Sequence, residues 1–386
     1  MDWRDRASRL ADEVTPPFSP WRAAVAEMPR HEFVPRWWVW DKEADGRTVR
    51  DGAADVDQWL STAYDDSTIL TRIGPLHADH ARPGDIAIGA PTASSTLPTL
   101  VLDMYEHARI TDRCRTLVTT GTGYGTALAC HRLGSTLVTS VDIDPYLVDS
   151  ATDRLASIGL HPETAVCDLT QGPLPGEYDR IVSTVSVPTI PAAWLNALRP
   201  GGRLVTTITG TGLILYADKT PDGGARGRTS YEPASFMPPR QGDDYDKTVP
   251  DSLWEEAKSG DGEVSVSRHL LLFVPEAWSV RSMLQLHTPG IEHRHQWHPD
   301  RSHTVWMTHP DGSWARAHAI APPGSPRRAS GRPAPPLGPP GRHPRPPQLD
   351  GGAARVRRPG HHHPGRRDHP DPWQLDGHPV VRPRHP

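Results

Sequence analysis

The stretch "RTLVTTGTGYGTALACHRLGSTLVTSVDID", residues 115–144, decides the fold. A β-branched run from Thr116 to Thr120 reads as a short buried strand, and Gly121, Gly123 and Gly125 follow it as G-x-G-x-G. The helical "GTALACHRLG" then leads into a second strand, "TLVTSV", which runs on to Asp142 and Asp144. Strand, glycine turn, helix and strand make a unit whose helix carries the chain back, so the two strands pair in parallel. Downstream the alternation continues. "PYLVDSATDRLASIG" is a punctuated helix, with Asp144 as cap, Pro145 in its first turn and Gly159 at its end. "ETAVC", "YDRIVST", "IPAAWLNAL" and "GGRLVTTI" complete the series. This rhythm predicts an α/β fold with a doubly wound, Rossmann-like sheet.

Upstream, Trp3, Ala7, Leu10, Ala11 and Val14 recur at helical spacing, a second short helix runs through "PWRAAVAEM", and "PRHEFVPRWWVW" turns extended. Six of the thirteen tryptophans precede residue 60, giving a helical and aromatic cap packed on the main domain or an aromatic wall for a substrate. The polar pattern between Asp41 and Pro91 predicts loop with short strands. "LPTLVLDMYEHARI" predicts a helix with Leu97, Leu100, Val101, Met104 and Ala108 on one face. Beyond Gly210, "EVSVSRHLLLFV" and "HTVWMTHPDGSWARAH" predict late antiparallel strands, the second a hairpin turning at "PDG". The expected domains are a cap with a substrate loop (1–96), a cofactor-binding core (97–210), a β-rich extension (211–318) and a tail (319–386).

Residues 319–386 hold 18 Pro, 12 Arg and 7 His, a composition that buries too little apolar surface to offset chain entropy and predicts disorder. The abrupt change after "DGSWARAH" also fits a shifted reading frame of a GC-rich gene. The tail carries 12 basic and 4 acidic residues, so the other 318 have a net charge of −12. An acidic body excludes nucleic acid as a specific partner, because phosphate binding needs a positive footprint. Cys114, Cys130 and Cys167 lack ligand-like spacing and read as small buried hydrophobes of a reducing cytosol. No apolar leader and no run of 18 apolar residues is present, which predicts a cytoplasmic protein without a membrane partner.

The glycine turn by itself leaves its ligand open. A dinucleotide fingerprint is G-x-G-x-x-G, and Thr126 occupies the position of its last glycine. Asp142, about twenty residues on, can accept both hydroxyls of a ribose in either a nicotinamide or an S-adenosylmethionine site. Asp168, at the end of the third strand, suits an acid reading an adenine amino group, and "LRPGGRLV" before the fifth strand is a turn typical of methyltransferases.

Across roughly residues 20–240 the chain resembles the protein-L-isoaspartate O-methyltransferases. The matching pieces are "MPRHEFVP", "PTASSTLP", the glycine turn, "VDIDP", "YDRIVSTVSVPTIPAAWLNALRPGGRLV" and "FMPPR". The resemblance implies that S-adenosyl-L-methionine lies against Thr119, Gly121, Thr122, Gly123, Tyr124, Gly125, Asp142, Ile143, Asp168 and Leu169. It implies that Ser94, flanked by Thr92 and Ser95, hydrogen-bonds the acceptor carboxyl of a peptide Asp or isoAsp, although these hydroxyls also suit the cap of the helix starting near Leu97. No general base is expected, since a carboxylate of pKa ~4 is ionised at neutral pH. The backbone amide nitrogen of the next residue then displaces methanol from the methyl ester, closing a succinimide, or aspartimide.

"HRLGSTLVTSVDIDPYLVDSATDRLASIGLHP" and the aromatic N-terminus look like the branch associated with ATP-grasp peptide maturases, which implies a crosslinked ribosomal precursor peptide as partner. The alternatives are general isoaspartyl repair and a noncatalytic peptide-binding relative. The last arises because Thr119 stands where the family commonly carries an acid that helps bind the amino-acid end of the cofactor. His293, His295, His298 and His303 alternate, but no H-E-x-x-H pattern or nearby cysteine accompanies them, so no metal is expected.

Overall fold

The computed structural model describes residues 2–240, 242, 245, 249–266, 271–300 and 302–320. The expected disordered tail lies outside the described residues, apart from its first two positions. The chain opens with α1 (Trp3–Val14), which buries Ala7, Leu10 and Ala11, and α2 (Arg22–Glu27), which buries Ala24 and Val25 against it. A single turn, Arg30–Phe33, leads to the hairpin of β1 (Arg36–Asp41) and β2 (Gly46–Asp51). The stretch expected to be loop with short strands does form short strands, β3 (Ile69–Ile73), β4 (Leu76–His77), β5 (Ile86–Ala87) and β6 (Pro91–Ser95), but it also forms the helix α3 (Val56–Ala63), which was not expected. These strands build an antiparallel sheet of order β4-β3-β1-β2-β5, with β6 also on β3. The Asp55 carboxylate caps α3 by accepting from Gln58 N at 3.0 Å, a local signal that the polar composition concealed. Trp21, Trp37 and Trp38 are buried in the cap, which is therefore held by its aromatics.

The main sheet follows α4 (Pro98–His107). It comprises β7 (Thr116–Thr119), β8 (Val138–Asp142), β9 (Glu163–Val166), β10 (Tyr178–Val182) and β11 (Leu198–Ile208), interleaved with α5 (Tyr124–Leu133), α6 (Pro145–Ser157) and α7 (Ala192–Ala197). Two further strands, β12 (Leu213–Lys219) and β13 (Ala225–Thr229), complete the order β13-β12-β11-β10-β7-β8-β9. The first five pair in parallel, while β12 and β13 are antiparallel. The core sheet thus runs past the boundary expected at Gly210, because β12 covers β11 along six residue pairs and buries Ile214 and Ala217 with it. Chain order reverses between β7 and β10, which opens a crevice at their carboxyl ends, where open α/β sheets bind ligands.

The remaining elements are α8 (Asp251–Ser259), α9 (Trp278–His287), β14 (Glu292–Trp297), β15 (Ser302–Thr308) and β16 (Trp314–Ile320). The hairpin of β15 and β16 turns as expected through His309 and Gly312. "EVSVSRHLLLFV" does not form the expected strand in its described residues, since β14 and β16 take both edges of β15. Among the described residues no helix is long and apolar enough to cross a membrane.

Candidate functional site

At the carboxyl ends of β7, β8 and β10 lies a cavity of about 2080 Å³. Thr92, Ser94, Thr119, Gly121, Asp142, Ile143, Asp168 and Leu169 all line it. Ser95, Thr122, Tyr124 and Gly125 line instead a small adjoining pocket that shares Ser94, Thr119 and Gly121 with it, and Gly123 lines neither. Gly121 adopts φ +50, and a Cβ there would have only Ser94 O, at 3.6 Å, within 4 Å. Gly123 has a packing role: a Cβ there would lie 3.0 Å from Ala151 Cβ and 3.3 Å from the Phe33 ring. Tyr124 is buried against Phe33. None of the thirteen tryptophans lines this cavity among the described residues, so the aromatic-wall alternative falls and the cap reading stands.

Asp142 ends β8 facing Gly121. Its Oδ2 accepts from Gly121 N and its Oδ1 from Asp144 N, each at 3.1 Å. Burial pushes this carboxyl up, and the two backbone donors work against that rise. Each oxygen keeps a lone pair for a vicinal diol. Asp168 spends Oδ1 on Thr170, from N at 2.8 Å and Oγ1 at 2.6 Å, which leaves Oδ2 for a ligand donor.

Thr119 closes the end of β7 by pairing with Thr184, just past β10. Its Oγ1 accepts from Thr184 N at 2.9 Å, and the two hydroxyls share a proton at 2.6 Å. Thr184 lines the cavity and was missed by sequence reasoning; its only sequence signal is its place at the end of the strand-like "YDRIVST".

The three hydroxyls of β6 separate. Thr92 donates to Gly74 O at 2.7 Å, and Ser95 is buried. Ser94 lines the cavity, whereas the buried Ser95 Oγ has no hydrogen-bond partner among the described residues. None of the three caps α4: Asp66 does, accepting from Thr99 N at 2.9 Å and Thr99 Oγ1 at 2.5 Å.

Arg240, at the end of "FMPPR", donates to Asp144 Oδ2 at 2.8 Å, and Arg72 pairs with the same oxygen. Burial works against this carboxylate, yet bonding to Arg240 and the charge of Arg72 hold it below the ordinary range. The outer wall is acidic. Asp103 on α4 is pushed up to about 7, by burial first and then by Glu232, Glu106 and Asp66. The predicted histidines sit elsewhere, on and beside β14 and β15, where His295 and His303 pack around Phe273 and Trp297.

The family profile for "Protein-L-isoaspartate(D-aspartate) O-methyltransferase (PCMT)" matches residues 80–239. Protein-L-isoaspartate O-methyltransferase 1 of Archaeoglobus fulgidus is 29% identical over 237 residues, covering 60% of this chain and 90% of that protein. The protein-L-isoaspartate O-methyltransferase of Ignicoccus hospitalis is 31% identical over 145 residues, covering 36% of this chain and 68% of that one. A solved structure from Plasmodium falciparum, described as a putative enzyme of this type in complex with S-adenosyl-L-homocysteine, aligns with TM-score 0.43 and 11% identity. It covers 62% of this chain and 100% of that one.

Proposed function

The chain belongs to the protein-L-isoaspartate O-methyltransferase family, and from that membership we propose how its cavity esterifies a peptide carboxylate. It is an S-adenosylmethionine-dependent carboxyl O-methyltransferase. The observation that carries the reading is the pairing of Asp142 with Gly121 at the carboxyl ends of β8 and β7, in one cavity with Ser94. The cofactor fits this donor set. Asp142 retains acceptor capacity toward a ribose diol, Asp168 toward an adenine amino group, and Gly121 leaves the backbone open to close approach. S-adenosylmethionine, when bound, supplies an electrophilic methyl group on sulfonium.

The protein's own task is orientation. Ser94 Oγ donates to one oxygen of the acceptor carboxylate and leaves the other as nucleophile. The substrate carboxyl is already ionised near neutral pH, so none of the surrounding side chains has to take a proton from it. Alignment within a cavity closed on one side by the cap limits water around the reacting oxygen.

General isoaspartyl repair is the reading that the cavity and the relatives support. Action on one crosslinked precursor peptide, ending in an aspartimide, is a second reading. It rests on the likeness of residues 131–162 and of the aromatic N-terminus to the peptide-maturation branch. Mass spectrometry with S-adenosylmethionine tests both. Methyl gain on unrelated isoaspartyl peptides supports repair. Methyl gain followed by a net loss of one water, on the crosslinked peptide alone, supports maturation. Absence of methyl gain on every peptide, with no cofactor binding by calorimetry, sinks both and leaves the noncatalytic alternative.

A further inference from the structure

We propose that Arg30 is a positioning residue that fixes the serine-bearing strand β6 against the glycine turn, an inference that rests on Ser94 holding the acceptor carboxyl. Arg30 stands in the turn before β1 and is 0% exposed. Its Nη1 donates to Ala63 O at 3.0 Å and Asp65 O at 2.7 Å. Its Nη2 donates to Ser67 O at 2.8 Å and Thr96 O at 3.2 Å. Among the described residues every one of these bonds goes to a main-chain carbonyl and none to a carboxylate. The guanidinium also lies 5.3 Å from the centroid of the Tyr124 ring. Three separate segments therefore meet on one side chain: the turn from α3 into β3, the junction of β6 with α4, and the first residue of α5.

A guanidinium taken out of water with no carboxylate bonded to it is costly, and burial lowers the proton affinity of Arg30 against the opposing influence of Tyr124, Asp66 and Asp65. A planar fork of five donors is the side chain that can satisfy carbonyls on both flanks at once. The strand it pins needs an outside reference. β6 pairs with β3 at Ile69↔Ser95 and Leu70↔Ser94, and the register then shifts twice before Ile73↔Pro91. A strand with two irregularities is weakly specified by its ladder alone. The bond to Thr96 O, two residues past Ser94, sets where Ser94 falls. Gly121 lies directly opposite, with Ser94 O the nearest atom to its Cβ position.

The test uses the full chain carrying Arg30→Lys or Arg30→Gln, neither of which can bridge both flanks. Expected are amide deuterium exchange over residues 92–97 at least tenfold faster and a peptide kcat/KM at least tenfold lower, with the S-adenosylmethionine Kd within twofold of the parent. Unchanged exchange over 92–97 would overturn the proposal. So would cofactor affinity falling in step with peptide turnover, or failure of both variants to fold, since either marks a general structural role. If the parent methylates no isoaspartyl peptide, the reading of Ser94 fails on its own, and exchange alone still decides whether Arg30 holds the strand.

Discussion

The residue that most needs explaining is Thr119. A threonine at the end of β7 offers a hydroxyl where the resembling family commonly places a carboxylate, and here that hydroxyl is engaged with Thr184 N and Oγ1. It brings no charge to the wall of the cavity. Thr119→Glu puts a carboxylate at this point, beside a cofactor that carries both a sulfonium and an ammonium. Calorimetry is expected to give a Kd several-fold lower than that of the parent. The loss of the buried hydroxyl pair is expected to cost about 1–3 kcal/mol of stability, read by urea denaturation. Equal or weaker binding in a folded variant would place Thr119 away from the cofactor's amino-acid end. Asp142 gives the opposite expectation. Asp142→Asn removes the charge and replaces one acceptor oxygen by a donor that faces Gly121 N or Asp144 N, so cofactor affinity should fall by roughly ten- to a hundredfold, the worth of about 1.5–3 kcal/mol for a bond to a charged group.

At the scale of elements, α4 carries the pH dependence. The Asp103 carboxyl is raised to about 7 in the folded chain, chiefly by burial, against about 3.9 unfolded. The folded state holds this proton more tightly, so the contribution to stability is fully present below pH ~4 and is lost as pH rises through ~7. Asp103→Asn should flatten the decline in Tm that this group imposes between about pH 4 and pH 7; an unaltered slope would assign the decline to other groups. This residue also shows why the sequence was legible only in part. The elements of the main sheet were readable because each is punctuated locally, as α6 is by Asp144, Pro145 and Gly159. The helix α3 was not, since the Asp55 that caps it is hidden among other acids in a polar stretch that reads as loop with short strands. The site divides the same way. Asp142 and Asp168 follow strand ends that the pattern marks, whereas Thr184, Asp66 and Asp103 reach the cavity through tertiary packing, which no spacing encodes. A G-x-G-x-G string likewise does not reveal that Tyr124, after the second glycine, is buried against Phe33 while Gly121 lines the cavity.

On the scale of the whole molecule, the acidity of residues 1–318 is concentrated where a substrate must enter. Eight carboxylates and two guanidiniums line the cavity among the described residues, and both guanidiniums are engaged: Arg22 with Asp12, and Arg240 with Asp144. A cavity of about 2080 Å³ exceeds the ~300–1,000 Å³ of an ordinary small-ligand pocket, which leaves room for several peptide residues beside a nucleoside cofactor. If the target carboxylate is held by Ser94 as proposed, the flanking residues of a bound peptide would meet Asp103, Glu106 and Glu232. A unit charge 4 Å from another is worth about 1 kcal/mol in water and about 4 kcal/mol near a protein surface, so one Lys in place of one Glu beside the target should lower KM by about tenfold or more. Matched isoaspartyl peptides that differ only in that flanking residue test this by initial rates. The advantage of the Lys peptide should shrink in ~1 M salt, where the screening length falls to about 3 Å. A Glu peptide turned over as efficiently as the Lys peptide at low salt would mean that the peptide enters away from α4, and that the acidic wall faces solvent throughout the reaction.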